Sequence, residues 1–133
     1  DWFGIDAVFA AKDTVDVFNP KVVQSTMGAI FRVKMHYVDL PSLTKEVLAA
    51  GGKVYGTFLD GRNMYSQPLE TGKDKPAVIV IGNESEGISD AMAALVSDRL
   101  YIPPYPADDP GSESLNAAVA TAVTVAEFRR RTY

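Results

Sequence analysis

The sequence predicts an α/β fold in which a mainly parallel sheet is flanked by helices. Apolar segments of strand length alternate along the chain with segments of helical spacing, and this alternation is typical of parallel sheets. The clearest strand is PAVIVIG, residues 76–82, because an unbroken β-branched run favours a strand buried on both faces. The chain has 133 residues and one alternating pattern throughout, so we expect a single domain over residues 1–133.

The first part of the chain is expected to contribute three strands and two helices. Asn19 and Pro20 favour a helix start, since asparagine can accept a bond from a free amide and proline fits the first helical position. That helix should run to about residue 28. SLTKEVLAAGG, residues 42–52, has helical spacing that ends at two glycines. The three strands are expected at residues 5–11, 33–38 and 53–59.

The second part continues the alternation after a long polar segment. Residues 60–75 are rich in turn-forming residues and predict a long loop, with a short strand at 64–66 as an alternative. After the strand at 76–82, the sequence predicts a short helix at 89–96, a strand at 98–103, an irregular loop at 104–113 and a helix at 114–131.

The composition excludes several classes of protein and of site. The chain has no cysteine, which excludes disulfides and thiolate metal sites and fits a reducing cytosol, so we expect a cytoplasmic protein. No apolar run approaches the roughly 18 residues of a membrane helix. No metal-ligand cluster, nucleophile elbow or phosphate-binding lysine loop is present in the sequence. A formal net charge of -4 argues against a general polyanion binder but is compatible with a locally basic nucleic-acid site.

Three segments with unusual residues follow predicted strands and should converge on one crevice. In open parallel sheets, ligands bind outside the carboxyl ends of the strands. The segments at these ends are GTFLDG (56–61), GNESEGIS (82–89) and IPPYPADDPGSESLN (102–116).

The acidic loop GNESEG favours a cationic or neutral ligand. Glu84 and Glu86 would repel a phosphate from the amides of the loop. The alternative is a glycine turn whose acidic side chains favour the dipole of the next helix, with Ser89 as the cap of that helix. Both interpretations hold if Glu84 points into the crevice and Glu86 faces water.

The last predicted helix carries further candidates. Ser114 alone would most often be its N-cap, whereas Asn116 would lie in its first turn and could project into the crevice. Its alanine and valine residues form more than one stripe, which favours a subunit interface on one side, with burial inside the monomer as the alternative. Arg129 to Arg131 most simply complement the negative end of the helix, and an RNA-contacting patch is the minority interpretation. His36 is expected to be structural.

These motifs together resemble a known family. PAVIVIGNESEGIS and then LYIPPYPADDPGSESLNAAVATAV are similar to the second and third motifs of the SpoU (TrmH) family of RNA 2′-O-ribose methyltransferases. NPKVVQSTMGAIFRV resembles the stretch between that family's first and second motifs. The resemblance spans nearly the whole chain, and its motifs are specific, because a glycine-glutamate-glycine loop and an Ile-Pro followed by Ser-Leu-Asn at this separation rarely occur together elsewhere.

The resemblance implies an activity, a fold and partners. The activity would be S-adenosyl-L-methionine-dependent methyl transfer to a ribose 2′-hydroxyl of RNA, with ribosomal RNA favoured over transfer RNA. The carboxyl half would form a deep trefoil knot of the SPOUT type that creates the cofactor pocket, and the chain would form a homodimer. General folding rules argue against a knot, so this expectation comes from the resemblance alone. Neither a metal nor a membrane is expected as a partner.

The resemblance also implies roles for individual residues. Glu84, Ser114 and Asn116 would border the reaction centre, where Glu84 and Asn116 position the substrate or the activating arginine through hydrogen bonds. A sulfonium ion nearby would be attracted by carboxylates. The residues implied to bind the cofactor are Thr57, Phe58, Leu59, Gly82, Asn83, Gly87, Ile102, Pro104 and Leu115.

The sequence departs from the family pattern at two points. The family's first motif, an asparagine and an activating arginine, precedes the segment that DWFGIDAV matches, so we expect a domain truncated at its amino-terminal side and inactive alone. The loop PYPADDPGSE is longer than usual for the family, which affects the placement of Ser114. The alternative function is a non-catalytic knotted dimer that binds cofactor or RNA. A receiver-like domain is disfavoured, because Asp6, Asp13 and Asp60 do not assemble into its aspartate cluster.

Overall fold

The computed structural model describes residues 1–70, 73–108 and 114–133. The chain divides into two units, residues 1–43 and residues 44–133. Within the described ranges, no helix has both the length and the apolar character needed to cross a membrane. All the strand pairs of both sheets are parallel, which confirms the predicted α/β fold with a parallel arrangement.

The first unit contains a two-stranded parallel sheet. Val8 lies opposite Met35 at the start of the paired strands. His36 stacks on Phe9 of the neighbouring strand with 5.4 Å between ring centroids, which agrees with its expected structural role. Both strands are shorter than the sequence predicts. In chain order the elements are β1 (Val8–Ala11), α1 (Pro20–Thr26), a 3₁₀ helix (Ala29–Phe31) and β2 (Met35–Val38).

The boundaries of α1 follow from its sequence, as predicted. The side chain of Asn19 accepts a hydrogen bond of 3.0 Å from the Lys21 amide, and Pro20 occupies the first turn. Met27 ends the helix in the left-handed region with φ of 49°, and Gly28 continues that reversal with φ of 87°. Glycine adopts this conformation without the steric cost that a side chain would add.

The second unit is built on a three-stranded parallel sheet in the order β4-β3-β5. Lys53 pairs with Ala77 of β4, and Tyr55 pairs with Asp98 of β5. The helix α2 begins two residues earlier than predicted, and Gly51 with φ of 78° follows its end as expected. The remaining elements of the chain are α2 (Leu40–Ala49), β3 (Lys53–Asn63), a 3₁₀ helix (Met64–Ser66), β4 (Ala77–Val80), α3 (Asp90–Ala93), β5 (Asp98–Tyr101) and α4 (Ala117–Arg130).

The strand β4 is less buried than its sequence suggests. All four residues of Ala77–Val80 are half-buried, so the prediction of a strand covered on both faces is wrong for the chain as described. The reason is its position, because β4 pairs only with β3 among the described strands and lies at an edge of the sheet. An unbroken apolar run reports hydrophobicity but not the place of a strand within the sheet.

The strand β3 is longer than predicted. It extends through residues 60–63, where the polar sequence predicts a loop, and residues 64–66 form a 3₁₀ helix and not a strand. Leu100 of β5 pairs with both Thr57 and Arg62, so residues 58–61 form a bulge of β3 between the two pairings, and Gly61 at the end of the bulge lies close to the Leu100 backbone. We call these four residues the arch. The long-range pairing of Arg62 and Asn63 with β5 is a tertiary contact that local turn propensity does not report.

The core of the second unit lies between β3, β5 and α4. Tyr55 and Phe128 meet edge to face with ring centroids 4.9 Å apart. Met64 and Leu100 are fully buried beside them. The Tyr55 hydroxyl accepts a hydrogen bond of 2.8 Å from the Glu70 amide, which satisfies the polar tip of a buried ring. This cluster fixes the carboxyl-terminal part of α4 against β3.

A buried carboxylate anchors the end of α4. Glu127 has only 6% of its side chain exposed and accepts hydrogen bonds of 2.8 Å from Arg130 and from Arg131. Arg131 also donates to the carbonyl groups of Met64, Tyr65 and Gln67. The hydrogen bond from Arg130, followed by the bond from Arg131, lowers the pKa of Glu127 from its usual 4.5 to about 2. Arg131 therefore ties the helix end to the segment after β3, whereas Arg130 binds Glu127 within the helix, and both charges complement the helix dipole.

We expect Glu127→Gln to lower the free energy of unfolding by about 2 kcal/mol at pH 7, because the charged hydrogen bonds with both arginines weaken. A depressed pKa in the folded state stabilises above the unfolded value of 4.5 and loses this effect as the pH falls toward about 2. The difference between wild type and variant in urea unfolding should therefore shrink over this pH window. Glu46→Gln, at an exposed position on α2, is the matched control and should change stability little. A difference that is independent of pH would contradict the assignment.

Candidate active site

The carboxyl ends of the strands of the second unit open into a cavity of ≈ 600 Å³. Every residue that the sequence analysis assigned to catalysis or cofactor binding lines this cavity except Pro104, which is half-buried and not among the lining residues. The convergence of the three segments, expected from the parallel sheet, is confirmed for their described residues, and residues 109–113 of the predicted irregular loop lie outside the described part of the chain. The lining residues that sequence reasoning did not single out for the cavity are Ile81, Glu86, Ile88, Tyr101, Ala117 and Ala120.

The loop of residues 82–87 is a closed turn held by its own backbone. Asn83 and Gly87 exchange two backbone hydrogen bonds of 3.1 and 3.0 Å. The Asn83 side-chain oxygen accepts bonds from the amides of Ser85 (3.0 Å) and Glu86 (2.6 Å). Asn83 is therefore an internal brace of the loop, and this geometry fixes where the side chain of Glu84 begins.

Two glycines are required for this turn, for different reasons. Gly87 has φ of 70°, but a Cβ there would meet nothing within 4 Å. Gly82 has no such strain, but its Cβ would lie 2.3 Å from the carbonyl carbon of Gly87. The loop thus needs glycine at 82 for close approach of two backbone segments and at 87 for a left-handed turn.

Asn116 connects this loop to the last helix. It is the N-cap of α4, and its side-chain oxygen accepts bonds from the amides of Ala118 (2.9 Å) and Val119 (3.3 Å). Its side-chain nitrogen donates to a carboxylate oxygen of Glu84 at 3.2 Å. The expectation that the helix begins at Ser114 and places Asn116 in its first turn is wrong, because the asparagine side chain itself satisfies the free amides. Its projection toward the crevice is confirmed, and Ser114 also lines the cavity.

The glycine-turn interpretation of residues 82–89 holds only in part. Ser89 caps α3 through a 3.3 Å bond from the Met92 amide, as expected. The acidic residue in the first turn of that helix is Asp90, not either of the two glutamates. Glu86 is exposed to solvent, which agrees with the condition stated for it, and it also lines the cavity together with Glu84.

The cavity combines acidic and apolar surface. Its carboxylates belong to Glu84 and Glu86, and no lysine, arginine or histidine occurs among the described lining residues. A cation is attracted to such a site, whereas a phosphate is repelled. Phe58, Ile102 and Leu115 supply apolar wall. In the part of the chain that the structure describes, no group of three His, Cys, Asp or Glu residues could hold a metal ion.

We expect Gly82→Ala to lower the free energy of unfolding by about 3 kcal/mol, because backbone atoms at residues 87 and 88 must move to make room for the methyl group. Gly87→Ala should cost only about 1 kcal/mol, because it adds left-handed strain without a clash. Urea unfolding of the two variants side by side measures the difference. Equal costs would contradict the close approach described for the loop.

Comparison with known proteins shows which family and which solved structures this chain is similar to. The model of the SpoU rRNA Methylase family matches residues 1–126. A 23S rRNA (guanosine(2553)-2′-O)-methyltransferase of Bacillus subtilis is 36% identical over 129 residues, which are 97% of this chain and 49% of that protein. A structure from Porphyromonas gingivalis assigned to the TrmH family of RNA methyltransferases aligns with a TM-score of 0.87 and 41% identity, covering 98% of this chain and 51% of the other.

A third relative is a structure with a bound ligand. The S-adenosylmethionine-bound rRNA methyltransferase of Sinorhizobium meliloti aligns with a TM-score of 0.84 and 28% identity, over 99% of this chain and 48% of the other. The chain therefore spans about half the length of these relatives. The match over almost all of its residues identifies the chain as a member of the SpoU rRNA methylase family.

Proposed function

We propose that this chain is the catalytic domain of an S-adenosylmethionine-dependent RNA 2′-O-ribose methyltransferase, with ribosomal RNA as the favoured substrate. The observation that carries the proposal is the 3.2 Å hydrogen bond between Asn116 and Glu84, because it joins the two family motifs across one cavity. The relatives with assigned substrates include the Bacillus subtilis enzyme, which acts on 23S rRNA. This supports the preference for ribosomal RNA over transfer RNA.

The cavity fits the proposed cofactor in charge and in surface. S-adenosylmethionine supplies a methyl group activated by a sulfonium ion, and this cation matches a cavity whose charged lining residues are Glu84 and Glu86. The apolar wall from Phe58, Ile102 and Leu115 suits the flat face of an adenine. Backbone groups of the loop at 82–87 lie at the cavity surface, where they can bind the polar edges of the nucleoside. Asn83 supports this indirectly, through the brace that it gives to the loop.

The catalytic contribution proposed for the chain is positioning. Methyl transfer requires the ribose 2′-oxygen to lie in line with the methyl group and its leaving sulfur, and holding that alignment provides much of the rate. Glu84 has one carboxylate oxygen oriented by Asn116, which directs the carboxylate toward the bound ribose or toward the activating arginine of the family's first motif. Ser114, which also lines the cavity, completes the set of polar groups proposed near the reaction centre.

We also propose the trefoil knot and the homodimer that the family resemblance implies. The junction between the loop at 82–87 and the start of α4 supports a threaded carboxyl-terminal segment. An exposed apolar stripe on α4 supports the dimer, because Val119 is 47% exposed, and Ala118 and Ala122, on the same side, are exposed as well. A cytoplasmic location is part of the same proposal.

Isothermal titration calorimetry with S-adenosylmethionine tests the cofactor, and transfer of labelled methyl to ribosomal RNA by the full-length protein tests the reaction.

We expect Asn116→Ala to lower the transfer rate by about 10²-fold, because the orientation of Glu84 is lost. Asn19→Ala removes the N-cap of α1, outside the cavity, and should leave the rate unchanged. Binding without transfer by the full-length protein would support the alternative of a non-catalytic knotted dimer. Full activity of Asn116→Ala would remove Asn116 from the site.

A further inference from the structure

The arch at residues 58–61 presents part of the cavity wall. Phe58 and Leu59 line the cavity, yet the four residues of the arch leave the pairing with β5 between Thr57 and Arg62. Bulged residues are left out of the pairing, and the ladder of hydrogen bonds that would fix their side chains is locally disrupted. Other interactions must therefore determine where the Phe58 ring lies.

The Phe58 ring lies over a glycine on its own strand. A Cβ at Gly56 would be 2.8 Å from an edge carbon of the Phe58 ring, 3.1 Å from Val96 and 3.2 Å from Ile88. The ring, Val96 and Ile88 therefore share the space that the missing side chain of Gly56 leaves open. These apolar neighbours support the ring, but they do not hold the arch itself.

Arg99 connects the ring and the arch to β5. The Arg99 side chain lies over the Phe58 ring, with 3.5 Å from the guanidinium carbon to the ring centroid. The same guanidinium donates to a carboxylate oxygen of Asp60, on the arch, at 2.7 Å. Arg99 belongs to β5, opposite Gly56 in the sheet register. The guanidinium of Arg99 thus contacts both the face of the Phe58 ring, which lines the cavity, and the Asp60 carboxylate, two residues further along the arch.

A contribution to stability alone does not account for this arrangement. The Arg99 side chain is 40% exposed and that of Asp60 is 75% exposed, and ion pairs at such positions stabilise a fold very little. The hydrogen bond from Arg99 lowers the pKa of Asp60. The effect of Arg99 is therefore expected on geometry, where a planar guanidinium that stacks and donates at once limits the freedom of both partners.

We propose that Arg99 is a positioning residue for the cofactor-binding wall, which holds the arch and the Phe58 ring in the orientation that the cavity needs. This inference rests on the proposed function, because it assigns the wall to S-adenosylmethionine. Arg99 does not line the cavity among the described residues. It acts through Phe58 and Asp60.

The test compares Arg99→Met with a variant that breaks another ion pair between the same two strands. Arg99→Met keeps an apolar stem but removes the stacking and the bond to Asp60, so we expect the Kd for S-adenosylmethionine to rise by about fivefold. The control is Lys53→Met, because Lys53 pairs with Asp98 of β5 at 3.8 Å with similar exposure, outside the cavity lining. It should leave the Kd unchanged. Arg99→Lys keeps the charge without the planar fork and should lie between the two.

Hydrogen exchange separates this inference from the proposed function. Amides of residues 58–61 should exchange faster in Arg99→Met than in wild type or in Lys53→Met, whether or not the chain binds the cofactor. Unchanged exchange in the arch would overturn the inference. If the wild-type protein failed to bind S-adenosylmethionine, the proposed function would be wrong, but the exchange rates of the arch amides would still test whether Arg99 holds the arch. An unchanged cofactor Kd with weakened RNA binding would also overturn the inference, since Arg99 would then be an RNA contact.

Discussion

One side-chain amide holds together the two segments that enclose the cavity. The side-chain oxygen of Asn116 accepts hydrogen bonds from two free amides at the start of α4, and its side-chain nitrogen donates to Glu84 on the loop at 82–87. Both contacts depend on the orientation of the same planar group. The amino-terminal end of the helix is therefore capped by the same side chain that orients the Glu84 carboxylate. At the other end of α4, Glu127 and Arg131 fix the helix to the segment after β3.

The parallel sheet explains why a few local contacts are enough to form the cavity. Because β3, β4 and β5 run in one direction, their carboxyl ends lie at one edge and bring three loops to a single cavity. Each loop is then fixed by a different local device. The loop after β4 closes on itself through Asn83 and Gly87, the arch of β3 is held by Arg99, and the last loop ends at the cap of α4. The contacts that hold the cavity walls lie within the chain itself, and preorganised walls lower the entropy cost of binding.

The sequence predicted the cavity better than it predicted the elements around it. Residues at the ends of strong apolar strands, such as Gly82 and Glu84, were placed correctly because direction and strand order in a parallel sheet leave one edge for loops. The length of β3 was missed because Arg62 and Asn63 pair with distant residues of β5, while their local sequence is typical of a turn. The cap of α4 was placed at Ser114 because both residue types can cap a helix, and only the contact with Glu84 distinguishes them. The sequence did not indicate a role for Arg99, because a charged residue on a short strand usually faces solvent.

The most direct test of this account is a double-mutant cycle on Asn116 and Glu84, read out as the Kd for S-adenosylmethionine. Asn116→Ser retains a capping oxygen but is too short to reach Glu84, and Glu84→Ala removes the other partner. The account predicts that each single change weakens binding and that the double variant binds no more weakly than the worse single variant, because the two residues act as one unit. Strictly additive losses would show that the two loops are held independently and would contradict the account.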